Sequence, residues 1–162
     1  MEDLFQLAEK VVNKARETKT ILAVAESCTG GMVATALTSV AGSSDVFDRG
    51  FVTYSYEAKE ELLGVNRNTL TKHGAVSENC VEEMALGAVK NSRAHVAVSI
   101  SGIAGPGGGM KDKPVGLVFF SSFNKKKNII KTESKTFAGD RHSVRVQSAK
   151  RALELFMVML EY

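Results

Sequence analysis

Proline, cysteine and long apolar runs are all scarce in this sequence, and each shortage removes a class of protein. The two cysteines, Cys28 and Cys80, have no metal-ligand spacing and do not make a disulfide or zinc framework. A reduced, cytoplasmic protein is expected. No apolar run approaches the roughly 20 residues that a bilayer span needs, and the N-terminus alternates charge with leucine where a secretory signal would be apolar. No membrane partner is expected. Lysine and arginine number 21 against 18 acidic residues, a net charge of +3 that makes no electrostatic case for nucleic acid. An anionic small molecule remains compatible. Internal repeats, low-complexity segments and interdomain linkers are also missing. With 162 residues, 44% of them hydrophobic and only two prolines, the chain fits one compact domain over residues 1–162.

What is present alternates between helical and strand patterns. Leu4, Leu7, Ala8, Val11, Val12 and Ala15 recur at three and four residues, which is one apolar helical face. Ile21 to Ala25 is a short continuous apolar run, as in a strand covered on both sides. A glycine turn and a small-residue helix over 32–39 follow, interrupted at Ala41-Gly42-Ser43-Ser44. Val46 to Ser55 predicts a second strand, irregular at Gly50, and Glu57 to Leu63 a short helix. Residues 66–76 read as a connection, with Ser77 capping a helix over 78–90. Val96 to Ile100 is another buried strand, which runs into a glycine-rich loop. Val115–Phe123 and Ile129–Phe137 flank Asn124 to Asn128 as a hairpin with a solvated lysine turn. Asp140 is a cap candidate for a long final helix. The order predicts a three-layer α/β/α sandwich with a mixed, mostly parallel sheet.

The loop Gly102 to Gly109 fits neither common nucleotide-binding spacing. A P-loop needs lysine directly after its second glycine, yet Gly107 is followed by Gly108, and five residues beyond Gly105 stands Met110. The dinucleotide fingerprint fails at Met110 too. What remains is either a plain surface loop or one whose amides hold an anion or an amide carbonyl. At Ala25 to Gly31 the signal is different in kind. Ser27, Cys28 and Thr29 offer three nucleophiles or donors, and Gly30 and Gly31 let a backbone approach a ligand at a helix start.

Several segments together carry a more specific signal. Ala25-Glu26-Ser27-Cys28-Thr29-Gly30-Gly31, Gly42-Ser43-Ser44, Tyr54-Ser55-Tyr56-Glu57-Ala58-Lys59, Gly74-Ala75-Val76-Ser77-Glu78, Gly102-Ile103-Ala104-Gly105-Pro106, Lys113-Pro114-Val115-Gly116 and Gly139-Asp140-Arg141 resemble the CinA C-terminal domain family, in that family's order and over nearly the whole chain. The resemblance implies hydrolysis of the carboxamide of nicotinamide mononucleotide to nicotinic acid mononucleotide and ammonia, with no cofactor, in the stand-alone form of the domain. Two positions depart from the pattern. Tyr56 stands where asparagine is expected, and Ser101 replaces threonine while keeping a hydroxyl.

Amide hydrolysis needs a nucleophile, a base, donors for the tetrahedral oxyanion and an acid for the leaving ammonia. Ser27 is the candidate nucleophile, its alternative role being a helix N-cap. Lys59 is the candidate base if burial or a cationic neighbour lowers its pKa, and otherwise an exposed helix lysine. Tyr54 is placed to relay a proton or hold the lysine. Amides of Thr29, Gly30 and Gly31 are assigned to the oxyanion hole, where one lost donor typically costs about 3 kcal/mol. Arg141 would fork onto a phosphate or ribose oxygen, or else pair with Asp140. Ser101, Gly102 and Gly105 complete the substrate-binding set. A rival nucleophile is Cys28, since a thiol near a helix N-terminus can have a lowered pKa. His73, His95 and His142 have no metal spacing, and no metal is expected. The partner expected is a small-molecule mononucleotide, and analogy suggests a homodimer or higher homo-oligomer. A catalytically silent nucleotide-binding or interaction domain of the same fold is the competing function.

Overall fold

The computed structural model describes residues 3–162. Helix α1 (Leu4–Glu17) opens with a capping box, in which the Asp3 carboxylate accepts from the Phe5 and Gln6 amides and the Gln6 side chain accepts from the Asp3 amide. Strand β1 (Leu22–Glu26) is buried along its whole length, as its unbroken apolar run predicts. Then come α2 (Met32–Thr38), a 3₁₀ turn (Ser43–Asp45), β2 (Phe47–Val52), α3 (Tyr56–Leu63), α4 (Arg67–His73), α5 (Glu78–Lys90), β3 (Val96–Gly102), β4 (Leu117–Asn124), β5 (Ile129–Thr136) and α6 (Arg141–Leu160).

The strands lie in the order β2-β1-β3-β4-β5. β1 is parallel to both β2 and β3, β4 runs antiparallel to β3, and β5 is antiparallel to β4. β4 alone therefore opposes the common direction. Residues alternating along β1 face two separate cores. Leu22 and Val24 join α1, α2 and α6 on one side, whereas Ala23 and Ala25 join the α4 and α5 side chains on the other. Helices on both faces of a mixed sheet make the expected three-layer sandwich.

Local differences from the sequence expectations have simple causes. The connection expected over 66–76 contains α4, which buries only Leu70 and so leaves no periodicity to read. Its start is capped by Asn66, whose Oδ1 accepts from the Asn68 amide at 2.8 Å. The irregularity in β2 falls at Asp48 instead of Gly50, since Leu22 pairs with Phe47 and Ala23 with Arg49. β2 also stops at Val52, which leaves Thr53 and Tyr54 beyond the sheet. Ser77 and Asp140 cap α5 and α6 through the Cys80 and Ser143 amides. His95 has a packing role, its Nδ1 accepting from the Ile21 amide at 2.9 Å. Among the described residues no helix is long and apolar enough to cross a membrane.

Candidate active site

β1, β2 and β3 end at the same edge of the sheet, and the segments leaving them meet there. Ser27 and Cys28 follow β1, Tyr54 follows β2, and Ser101 and Gly102 close β3. Ligands of open α/β sheets bind in the crevice outside the carboxyl ends of parallel strands. A cavity of about 260 Å³ lies at this edge, walled by Ser27, Cys28, Tyr54, Lys59, Ser101 and Arg141 together with the 102–108 loop.

At the floor of the cavity Lys59 Nζ donates to Ser27 Oγ at 3.0 Å and to the Thr53 carbonyl at 2.7 Å. Lys59 is only 1% exposed and Ser27 8%. Ser55 caps α3 through the Ala58 amide, which sends Lys59 from the first turn of that helix back under the end of β2. No carboxylate shares the ammonium among the described residues. Burial therefore pushes the Lys59 pKa down from its ordinary value, outweighing the opposite influence of Cys80 and Cys28. A buried amine of lowered pKa against a hydroxyl is a base poised to take a proton.

The turn that carries Ser27 is tied down on all sides. The Ser27 amide donates to the Ile100 carbonyl at 3.1 Å, and the Gly30 amide donates to the Ser27 carbonyl at 3.0 Å. Behind the serine, the fully buried Glu26 carboxylate accepts from the Val33 and Ala34 amides, both at 3.0 Å. This places a negative charge at the start of α2, where the free amides favour it. Sequence reasoning gave Glu26 no role, and its only signal was a charge at the end of an apolar strand.

Thr29, Gly30 and Gly31 lie on the turn, but none of them lines the cavity. The Gly30 amide is already engaged, so its assignment to the oxyanion is corrected. Cys28 does line the cavity, yet its thiol is pushed up to about 11, first by burial. A lowered pKa at Cys28, the basis for treating it as the rival nucleophile, is thereby overturned.

Arg141 spans the cavity rim. Its guanidinium donates to the Gly105 carbonyl at 2.7 Å and to the Tyr54 hydroxyl at 3.0 Å. Pairing with Asp140 does not occur, because that carboxylate caps α6. Tyr54 is 63% exposed, and its hydroxyl meets Arg141 and not Lys59, which corrects the expectation that it holds the lysine. Arg145, one helical turn after Arg141, donates to the Cys28 and Thr29 carbonyls. The spacing of four residues on α6 was the only trace of it in the sequence. Tyr56 begins α3 outside the cavity wall. No three His, Cys, Asp or Glu side chains among the described residues converge as a metal site.

Fold and site together define a three-layer α/β domain with a serine–lysine pair buried where its parallel strands end. The chain matches the family model described as the CinA C-terminal domain over residues 4–160, and it belongs to that family. It is 51% identical to the nicotinamide-nucleotide amidohydrolase PncC of Escherichia coli (strain K12) over 152 residues, 94% of this chain and 92% of the relative. A protein of the same description from Enterobacter agglomerans is 57% identical over 130 residues, 80% of this chain and 79% of that one. Among solved structures, the competence/damage inducible protein CihA from Agrobacterium tumefaciens superposes with a TM-score of 0.95 at 41% identity, over 98% of this chain and 96% of that one.

Proposed function

We infer that this chain is a nicotinamide-nucleotide amidohydrolase, which cleaves the carboxamide of nicotinamide mononucleotide to nicotinic acid mononucleotide and ammonia. The observation that carries the chemistry is the 3.0 Å contact between Ser27 Oγ and the buried Lys59 Nζ, on the wall of a cavity. The names of relatives about half identical over most of the chain support the substrate.

In this reading neutral Lys59 accepts the Ser27 proton as Oγ attacks the carboxamide carbon. The tetrahedral oxyanion is met by the hydroxyl of Ser101, a residue of the cavity wall. Lys59, now an ammonium held on the Thr53 carbonyl, gives its proton to the departing nitrogen, and ammonia leaves. Water, deprotonated by the same amine, then cleaves the acyl-serine and regenerates Ser27. Arg141 has only neutral acceptors within the described chain, so a substrate phosphate at the rim would supply the charge it lacks. Tyr54 and Gly105 hold that guanidinium in place.

The test is ammonia release from nicotinamide mononucleotide by wild type and Ser27→Ala, with Cys28→Ser as the comparison. Wild type and Cys28→Ser should turn over, and Ser27→Ala should lose at least a thousandfold in kcat, within the range expected for a removed nucleophile. Tight mononucleotide binding without turnover in wild type would instead favour a silent binding domain. A cytoplasmic location and a homodimer or higher homo-oligomer accompany the proposal. Fractionation and light scattering test those two points.

A further inference from the structure

Gly30 and Gly31 suggested a backbone that approaches a ligand, but at Gly30 the group making the close approach is an arginine of the same chain. Arg145 Nε donates to the Cys28 carbonyl at 2.9 Å and its Nη2 to the Thr29 carbonyl at 3.1 Å. Gly30 has φ +58°, and a Cβ there would stand 3.1 Å from Arg145 Nη2. The glycine thus serves both the left-handed backbone and the space the guanidinium fills. The two carbonyls belong to the residues directly after Ser27. Glu26, directly before it, is pinned to the start of α2.

We propose that Arg145 is a positioning residue, which grips the Cys28 and Thr29 carbonyls and so holds Ser27 Oγ on Lys59. The role is separate from that of Arg141, although both come from the first two turns of α6. Arg141 faces the rim acceptors Gly105 O and Tyr54 OH, whereas Arg145 faces the reverse side of the nucleophile turn. A planar fork onto two successive carbonyls fixes two peptide planes at once, which a single ammonium does not do. Hence Arg145→Lys should restore only part of what Arg145→Gln loses. The consequence for turnover rests on Ser27 being the nucleophile; the grip on the turn does not.

Two readouts keep these apart. Hydrogen exchange on the peptide containing residues 28–32 reads the grip directly. Exchange should speed up roughly tenfold or more in Arg145→Gln, the effect of losing hydrogen bonds to a charged group. Ammonia release from nicotinamide mononucleotide reads the consequence, and kcat should fall about 10- to 100-fold with KM changed less than about threefold. Arg145→Lys, which keeps the charge but not the fork, should move both readouts in the same direction by less, and it serves if Arg145→Gln fails to fold. Unchanged exchange over 28–32 in a folded variant overturns the proposal. So does a lowered Tm accompanied by wild-type kcat, which is the result for an arginine that merely packs α6. Should wild type itself not hydrolyse the mononucleotide, the proposed function fails and the exchange measurement still decides Arg145.

Discussion

In the proposed mechanism the chemistry turns on Lys59, and its burial makes two pH effects inseparable. With the folded-state pKa lowered from 10.5, the unfolded chain binds more protons than the native one between the two values. Stability contributed by neutral Lys59 is therefore lost as pH falls through the folded pKa, and it grows as pH rises towards about 10.5. With Lys59 as the proposed base, activity should follow the same direction, because only the neutral amine can accept the Ser27 proton. The kcat of wild type should rise with pH along a limb whose midpoint lies below the ordinary lysine value. Lys59→Met should lose about 100- to 10,000-fold in kcat. The same change should flatten the pH dependence of the urea midpoint in that window. Equal urea slopes for wild type and Lys59→Met would show that Lys59 is charged in the fold at every pH tested.

At the scale of the elements, Lys59 depends on how α3 is seated, and the tightest point of that seat is a glycine. A Cβ on Gly87 of α5 would stand 1.9 Å from the Leu63 carbonyl at the end of α3, a clash with backbone that no rotamer relieves. Gly87→Ala should cost about 2 kcal/mol by overpacking and lower Tm by roughly 4–8 °C. Because α3 carries Lys59 one turn before Leu63, kcat should fall in the folded variant as well, checked by calorimetry alongside the ammonia assay. This contact was not legible in the sequence, since Gly87 occurs within an otherwise ordinary amphipathic stretch. The elements themselves were legible wherever burial spans several turns or a whole strand. α1 and α6 bury five and nine side chains, and β1 is buried throughout and apolar up to Glu26. α4, with one buried leucine, is held by its cap and its neighbours, so nothing in its pattern of hydrophobicity marks it.

Across the whole molecule the cavity draws on residues from Ser27 to Arg141, brought together only by the sheet order and by α6 packing back over β3. Matched motifs indicated which segments belong together, and hence Ser27, Lys59, Ser101 and Arg141. They could not indicate orientation, which is why Tyr54 was assigned to Lys59 and Arg145 was passed over. A site built this way exists only when the chain is folded, so a ligand of the site must stabilise the whole molecule. Nicotinic acid mononucleotide at a hundredfold over its Kd should add about 2.7 kcal/mol, which for a chain of this size is roughly 5–11 °C in Tm. Arg141→Ala should lower the shift at equal ligand concentration by removing the cation at the rim, while Cys28→Ser should retain it. If Arg141→Ala and wild type shift equally in thermal scans, the phosphate is held elsewhere on the cavity wall. The glycine loop would then be the place to look, because Gly105, Gly107 and Gly108 line the same cavity and an amide needs no arginine to meet an anion.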